Sequence, residues 1–288
     1  MSDITLIDDS EQSSLVTNGL AKNGEVYLKK EGSTDAGSIV VYDSGVWKTF
    51  ANEASSGFAN SHSLYFDGTG DLVTCGDISA INSASNVTIS CWVKADSFPH
   101  SSFNSIWGGG QAGSSGHPSR LWFTAKSTRF NLYNGTAQNF SFSTTVSTGT
   151  WYHTAVVISG SNNLSVYLNG SQLGSTVTTF NSLTSQSGDN FEIAGNPTYN
   201  PYFWDGNIDE FAVFNSALSS TDVASLIDNS GSNPVPADIS SLSPRVWLRM
   251  GENDDTATAT TITNQGQTGS TNDGTLVNGA AFDTDIPS

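Results

Sequence analysis

"FWDGNIDEFAVFNSALSSTDVASLI" (Phe203–Ile227) carries, in one run, the local signals that set the architecture. Asp205–Gly206 is a turn former. "NIDEFAVF" (Asn207–Phe214) then alternates as a half-buried strand does. Ser219 stands three residues before Asp222 and is followed by Val223, Leu226 and Ile227. That spacing predicts a capped helix start, with Asp in the Glu position of a capping box. Asp209 and Glu210 sit side by side within the strand, where neighbouring side chains point to opposite faces. Strict alternation puts Asp209 with Phe211 and Val213 and parts it from Glu210. A retaining glycosidase needs two carboxyl groups about 5 Å apart on one face of a cleft. The pair therefore reads as part of the fold, Asp209 bonding to a neighbouring turn, and the chain reads as non-catalytic. "FEIAGN" (Phe191–Asn196) offers a single acid, Glu192.

Outward from this stretch the same grammar repeats. "NVTISCWVKA" (Asn86–Ala95) places Val87, Ile89, Cys91 and Val93 on one face and Trp92 on the other. "SRLWFTAK" (Ser119–Lys126) and "TRFNLYNG" (Thr128–Gly135) read as a hairpin. "TWYHTAVVISG" (Thr150–Gly160) and "LSVYLNGSQLG" (Leu164–Gly174) read as further strands. Residues 61–230 thus hold about ten short strands at the spacing of a β-sandwich. Residues 1–60 differ. A polar acidic opening precedes "GEVYLKK" (Gly24–Lys30), "SIVVYDS" (Ser38–Ser44) and "VWKTFAN" (Val46–Asn52), a small β-meander too slight to form a core alone. It reads as an anchor or attachment unit. Residues 231–242, with "GSNPVPAD" (Gly231–Asp238), read as a linker. Residues 243–288 hold the strand "RVWLRMGE" (Arg245–Glu252) and "GTLVNGAAF" (Gly274–Phe282).

Composition narrows the functions. Charged residues are 13% of the 288, against roughly 25% in an average globular protein. The net charge is −17 and the 10 Lys and Arg are scattered, so no basic stripe exists to follow phosphates, and nucleic-acid binding is excluded. No apolar run reaches the length of a membrane span, and the first residues lack the basic start and apolar core of a signal peptide. Cys75 and Cys91 do not make a disulfide framework. They read as small buried hydrophobes, a single bridge being the alternative. His62, His100, His117 and His153 show no zinc-site spacing, and His153 reads as a packed strand histidine.

Five pieces carry a resemblance: "SLYFDGTGDLV" (Ser63–Val73), "VTISCWVKA" (Val87–Ala95), "GTWYHTAVVISG" (Gly149–Gly160), "LSVYLNGSQLG" (Leu164–Gly174) and "GNIDEFAVFNSALSSTDVASL" (Gly206–Leu226). In order and spacing they resemble the laminin-G-like, concanavalin-A-like sandwich superfamily in its bacterial and phage form. The resemblance implies an all-β jelly-roll sandwich. In that family a segment like "VWLRMGE" (Val246–Glu252) comes before the "SLYFDG" strand, whereas here it comes after the helix. We expect a permuted sandwich, residues 243–288 returning to fill the missing edge or pairing with a neighbouring subunit.

Family members bind Ca²⁺ on a sandwich rim, which makes Asp67 and Asp71 in "FDGTGD" and Asp205 and Asp209 in "WDGNID" candidate ligands. The alternative is plain Asx-turns. Carbohydrate binding needs aromatic faces edged by polar groups. "NPTYNPYFWDGN" (Asn196–Asn207) is the richest such loop, and Trp107, Trp122, Tyr199, Tyr202 and Trp204 are the candidate glycan-binding rings. Alternatively, these rings close the core or a subunit contact. The Gly/Ser/Thr-rich, weakly charged composition resembles a phage virion protein, and "GSIVVYDSGVWKTF" (Gly37–Phe50) resembles N-terminal parts of phage fibre and decoration proteins. The leading expectation is a capsid or tail structural protein. It would be held to other virion proteins through residues 1–60, would be homo-oligomeric (a trimer by analogy with fibres), and would display a domain for host or environmental glycans. The alternative is a bacterial secreted or surface lectin-like module, and a glycan hydrolase ranks last.

Overall fold

Alternating apolar runs separated by Gly and Asx turns become two facing antiparallel sheets. The computed structural model describes residues 58–109, 121–134, 138–160, 162–183, 189–195 and 202–288, and the backbone of four strands before them. The chain divides into two units, Met1–Ala59 and Asn60–Ser288. In the first, β1 (Thr5–Ile7), β2 (Val26–Lys29), β3 (Ile39–Asp43) and β4 (Val46–Phe50) form one sheet in chain order. β1 runs parallel to β2; it arises from "TLI" within the opening stretch that the sequence suggests is only a polar tail.

The second unit holds β5 (Ser63–Asp67), β6 (Leu72–Thr74), β7 (Val87–Ala95), β8 (Asn104–Gly109), β9 (Leu121–Lys126), β10 (Arg129–Asn134), β11 (Gln138–Ser143), β12 (Trp151–Ser159), β13 (Asn163–Leu168), β14 (Ser171–Gln172), β15 (Phe191–Ile193) and β16 (Asp205–Phe214). After these come α1 (Ser220–Ala224), β17 (Ile227–Asp228), β18 (Val235–Pro236), β19 (Val246–Leu248), β20 (Thr261–Ile262), β21 (Gly274–Val277) and β22 (Ala281–Asp283). The front sheet has the order β11-β10-β9-β8-β15-β6-β21-β20; the back sheet has the order β14-β13-β12-β7-β16-β5-β22. This is the expected all-β jelly-roll sandwich.

Period-two alternation fills the space between the sheets. Val87, Ile89, Cys91 and Val93 of β7 face Phe123 of β9 and Phe130 of β10 in one core cluster. Its centre is a ring stack, with Trp107 5.2 Å from Phe123 and 5.9 Å from Phe191, and Phe123 5.5 Å from Phe130. Cys75 and Cys91 are free and buried within it, and burial pushes the Cys91 thiol up to about 12.

The C-terminal segment returns to the same sandwich. β19 pairs with β16, β22 with β5 and β21 with β6, and Val246, Leu248 and Ile262 enter the core fully buried. Two short strands cannot hide an apolar face by themselves, and the sandwich supplies the missing partner. The stretch from 231 to 242 is more than a linker, since β18 within it pairs with β17. The outer face of the back sheet is covered as well. Ala155, Val157, Tyr167 and Ala212 are buried there together with Val223, Leu226 and Ile227 around α1. The α1 start is capped by the reciprocal Ser219–Asp222 pair, as the spacing predicts.

One edge of β16 is shared by two strands laid end to end. Asp205–Ile208 pair with β5 and Phe211–Val213 with β19. Between them the register against β7 slips, so that Asp209 lies opposite Trp92 and Ala212 opposite Ser90. This is a β-bulge, and it positions the acids considered next.

Candidate functional site

The bulge overturns the expectation that Asp209 and Glu210 point apart. Glu210 is the extra residue, with φ of 48°, a left-handed conformation uncommon for a residue with a Cβ. Ile208 faces the core, Asp209 and Glu210 both turn outward, and Phe211 and Val213 face the core again. Asp209 therefore shares its face with Glu210 and not with Phe211. Glu252, just past β19, joins them. One carboxylate oxygen from each of the three lies within 4.8 Å of the others.

Each acid is tied to a different part of the chain. Asp209 Oδ2 accepts from Asn60 Nδ2 at 2.8 Å, and Oδ1 from the Glu210 N–H at 2.7 Å. Glu210 accepts from Trp247 Nε1 at 2.6 Å and Arg249 Nε at 3.0 Å. Glu252 Oε1 accepts from the Ser61 and His62 N–H groups and from Ser61 Oγ. Gly251, with φ of +136°, lets the two segments pass, since a Cβ there would lie 2.6 Å from His62 Cβ. Asp209 is 0% and Glu210 6% exposed, so a glycosidic bond has no access to this pair. Burial and the neighbouring carboxylates raise the Asp209 carboxyl well above its ordinary range. Burial lifts Glu210 to about 7 although Arg249 opposes it.

The other candidate metal ligands sit elsewhere. Asp67 and Asp205 are cross-strand partners, four residues along β16 from Asp209, roughly 13 Å at strand rise. Asp67 Oδ1 closes its own turn on the Thr69 N–H at 2.7 Å. Asp71 accepts from the Asp67 and Gly279 N–H groups at 3.2 and 2.7 Å, and Asp205 accepts from Ser97 Oγ. The Asp67–Thr69 contact is an Asx-turn, whereas Asp71 and Asp205 tie together segments far apart in the chain.

Of the candidate rings, Trp107 and Trp204 are 0% exposed and have no face free for a sugar. Trp107 lies opposite Phe123 in the β8–β9 register and points into the core with it. The Trp204 indole N–H donates to the Asn207 carbonyl at 3.3 Å, and its ring meets Phe98 edge-on. Trp122 and Tyr202 do come together on the outer face of the front sheet, 5.8 Å apart and nearly parallel, with Phe103 and Tyr133 against Trp122. Trp122 and Tyr133 are buried within the patch, at 3% and 5% exposed, and Phe103 and Tyr202 at its edge are partly exposed. Tyr199 lies outside the described residues.

Among the described tryptophans, Trp151 is the one that is not buried. It starts β12 opposite Lys94 at the end of β7. Its indole N–H donates to Asp285 Oδ1 at 3.0 Å, and Lys94 pairs with Asp285 Oδ2. The Lys94 ammonium also lies 5.9 Å from the Trp151 ring centre. Asn169, left-handed at φ 47° after β13, accepts from the His153 N–H with its side-chain oxygen at 2.8 Å. Its amide NH₂ is left as a donor. Trp151, Lys94, Asn169, Asn233, Pro234 and Asp285 line a groove of about 470 Å³, within the range of ligand sites. The sequence reading passes over this set. Its signal is the Gly149–Thr150 turn directly before a tryptophan at the first residue of a strand, which fixes that ring at the sandwich rim.

Comparison with known proteins agrees with this architecture. A protein of Bacteroides ovatus, a candidate carbohydrate binding protein, superposes with a TM-score of 0.61 at 15% identity over 92% of this chain and 71% of its own. Domain 4 of the extracellular arabinanase AbnA from Geobacillus stearothermophilus, solved with arabinotriose, gives 0.45 at 16% identity over 73% of this chain and 93% of its own. A heptameric SAP-like pentraxin from Limulus polyphemus gives 0.47 at 19% identity over 58% and 82%. No curated protein sequence matches. The family model described as the concanavalin A-like lectin/glucanases superfamily matches residues 67–224, just over half of the chain. The chain belongs to that superfamily.

Proposed function

We propose that this protein is a non-catalytic, lectin-like carbohydrate-binding module, and that the Trp151 groove is where it holds a glycan. The observation that carries the reading is the groove itself: an accessible indole held in place by Asp285 and Lys94 and edged by Asn169 and Asn233. A pyranose ring lays its C–H face on such an indole while its hydroxyls exchange hydrogen bonds with the amides and the carboxylate. Pre-ordering of the three side chains lowers the entropy cost of binding. The closed acid pair supports a binding role over hydrolysis. A fold shared with a candidate carbohydrate binding protein supports the same reading.

For the biological setting we keep the virion: display from a capsid or tail, with the separate four-stranded unit Met1–Ala59 as the attachment to other virion proteins and the module repeated in a homo-oligomer. An extracellular bacterial lectin is the other setting, and the groove serves both equally. Calcium at the rim acids Asp67, Asp71 and Asp205 belongs to this proposal too.

A glycan array probed with the whole chain tests the function. Binding to a defined set of glycans is expected, and Trp151→Ala abolishes it while the fold is retained. Binding that survives Trp151→Ala would move the site elsewhere on the sandwich. Release of reducing sugar from a bound glycan would overturn the non-catalytic reading.

A further inference from the structure

We propose that the outer face of the front sheet, at the β9–β10 hairpin, binds an acidic saccharide whose carboxylate or sulfate group sits between Lys126 and Arg129. Trp151 belongs to the back sheet, so this site is separate from its groove and does not rest on the reading of that groove.

Three observations carry it. The first is the distribution of charge. The chain holds 27 Asp and Glu, yet none stands between Asp96 and Asp189, and that stretch keeps Arg120, Lys126 and Arg129. It includes β8 to β11, four adjoining strands of the front sheet. Clearing these strands of acid in an otherwise acidic chain leaves a local field that attracts anions. The second is pairing. Phe123, Ala125, Phe130 and Leu132 enter the core, so alternation turns Lys126 and Arg129 outward. The two stand directly opposite in the β9–β10 register, and like charges so placed are destabilising. Among the described residues neither has an acid partner, whereas Lys94 and Arg249 are ion-paired and Arg245 donates to Gln267. The third is a shortage of acceptors beside them. Arg129 Nε is buried without a hydrogen-bond partner, and so is Asn131 Nδ2 at the next outward position of β10. Asn131 is 0% exposed, and its oxygen already accepts from Ser141 Oγ at 2.7 Å. Both orphaned atoms are donors, and a buried donor without a partner is costly.

One bound anionic group answers all three. A carboxylate or sulfate accepts from the Arg129 guanidinium and from the Lys126 ammonium, and it relieves the repulsion between them. Two cations suit a single anionic group and not the regular phosphates of a nucleic acid. The rest of the face is neutral and polar. Thr124 lies across from Asn131 with its hydroxyl buried and unpartnered, and Asn139, Ser141 and Ser143 are exposed along β11. These groups exchange hydrogen bonds with sugar hydroxyls, which makes an acidic sugar the fitting ligand.

Isothermal titration calorimetry on the whole chain tests the site. The probes are a galacturonic acid oligomer, a sulfated oligosaccharide, a neutral oligosaccharide of the same length, and inorganic sulfate alone. One or both acidic oligosaccharides are expected to bind, with an affinity that falls as salt rises, and which of them binds tells carboxylate from sulfate. The neutral oligosaccharide and inorganic sulfate should bind ~10-fold or more weakly, each lacking part of what the face recognises. Arg129→Gln should weaken acidic binding by ~10-fold or more. Lys126→Glu should abolish it and raise Tm, because it turns a like-charge pair into an opposite-charge pair. Trp151→Ala should leave acidic binding unchanged, which separates a failure of this site from a failure of the groove. Absence of binding by both acidic oligosaccharides overturns the proposal, and so does binding that survives Lys126→Glu or is lost in Trp151→Ala. Inorganic sulfate binding as tightly as the sugars would overturn the saccharide assignment and leave an anion site only.

Discussion

The Trp122–Tyr202 patch and the Trp151 groove make opposite use of the same residue type. The first has Trp122, Tyr202, Phe103 and Tyr133 in mutual contact, and the rings satisfy one another. The second has one indole, an ion pair and two amides. Aromatic density is what the eye finds in a sequence, yet rings that find each other bury each other, because each brings a large apolar area. A lone ring among polar neighbours stays available to a ligand.

Four measurements break or sharpen that contrast. Trp204, fully buried in the core, should cost ~3–5 kcal/mol on truncation to Ala, read as a large drop in urea midpoint. A loss near zero would mean that Trp204 is open to a ligand after all. Glu192 reports on the patch. It faces outward opposite Gly108, where a Cβ would lie 2.9 Å from Trp122, and burial lifts its carboxyl from 4.5 to about 7. A raised carboxyl pKa means that the folded state holds the proton more tightly. The stability contribution is therefore complete below about pH 4.5 and is lost as the pH rises through about 7. Glu192→Gln should accordingly gain ~2 kcal/mol over the parent near pH 8 and nothing near pH 4. An NMR titration of Glu192 with an ordinary carboxylate midpoint would show the patch to be solvated. Asp285→Asn removes the carboxylate that pairs with the buried Lys94 and should cost ~1–2 kcal/mol while weakening glycan binding. Trp151→Ala should shift stability by ~1 kcal/mol or less and remove binding, the reverse of Trp204→Ala.

Most of the sandwich was legible because period-two alternation and turn residues are local signals. Val87, Ile89, Cys91 and Val93 lie inward as their spacing says, and the Ser219–Asp222 cap forms. The order of Val246–Glu252 relative to the family pattern foretold the return of β19 to the sandwich. What alternation cannot register is an inserted residue. A single bulge at Glu210 reverses which face the next side chains take, and no local signal in "NIDEFAVF" announces it. The cause is tertiary: β5 gives way to β19 along one edge of β16. The groove was hidden for a similar reason. Lys94, Trp151, Asn169, Asn233 and Asp285 come from five separated places in the chain, and only the closure of the back sheet gathers them.

The most direct test of the central claim is a fluorescence titration of the folded chain with a glycan-array hit. Five of the six described tryptophans are buried, so a ligand stacking in the groove acts on Trp151. The account predicts a saturable change in emission that is absent in Trp151→Phe titrated under the same conditions. A saturable change of equal size in Trp151→Phe, or calorimetric binding with no change of emission in the parent, would contradict it.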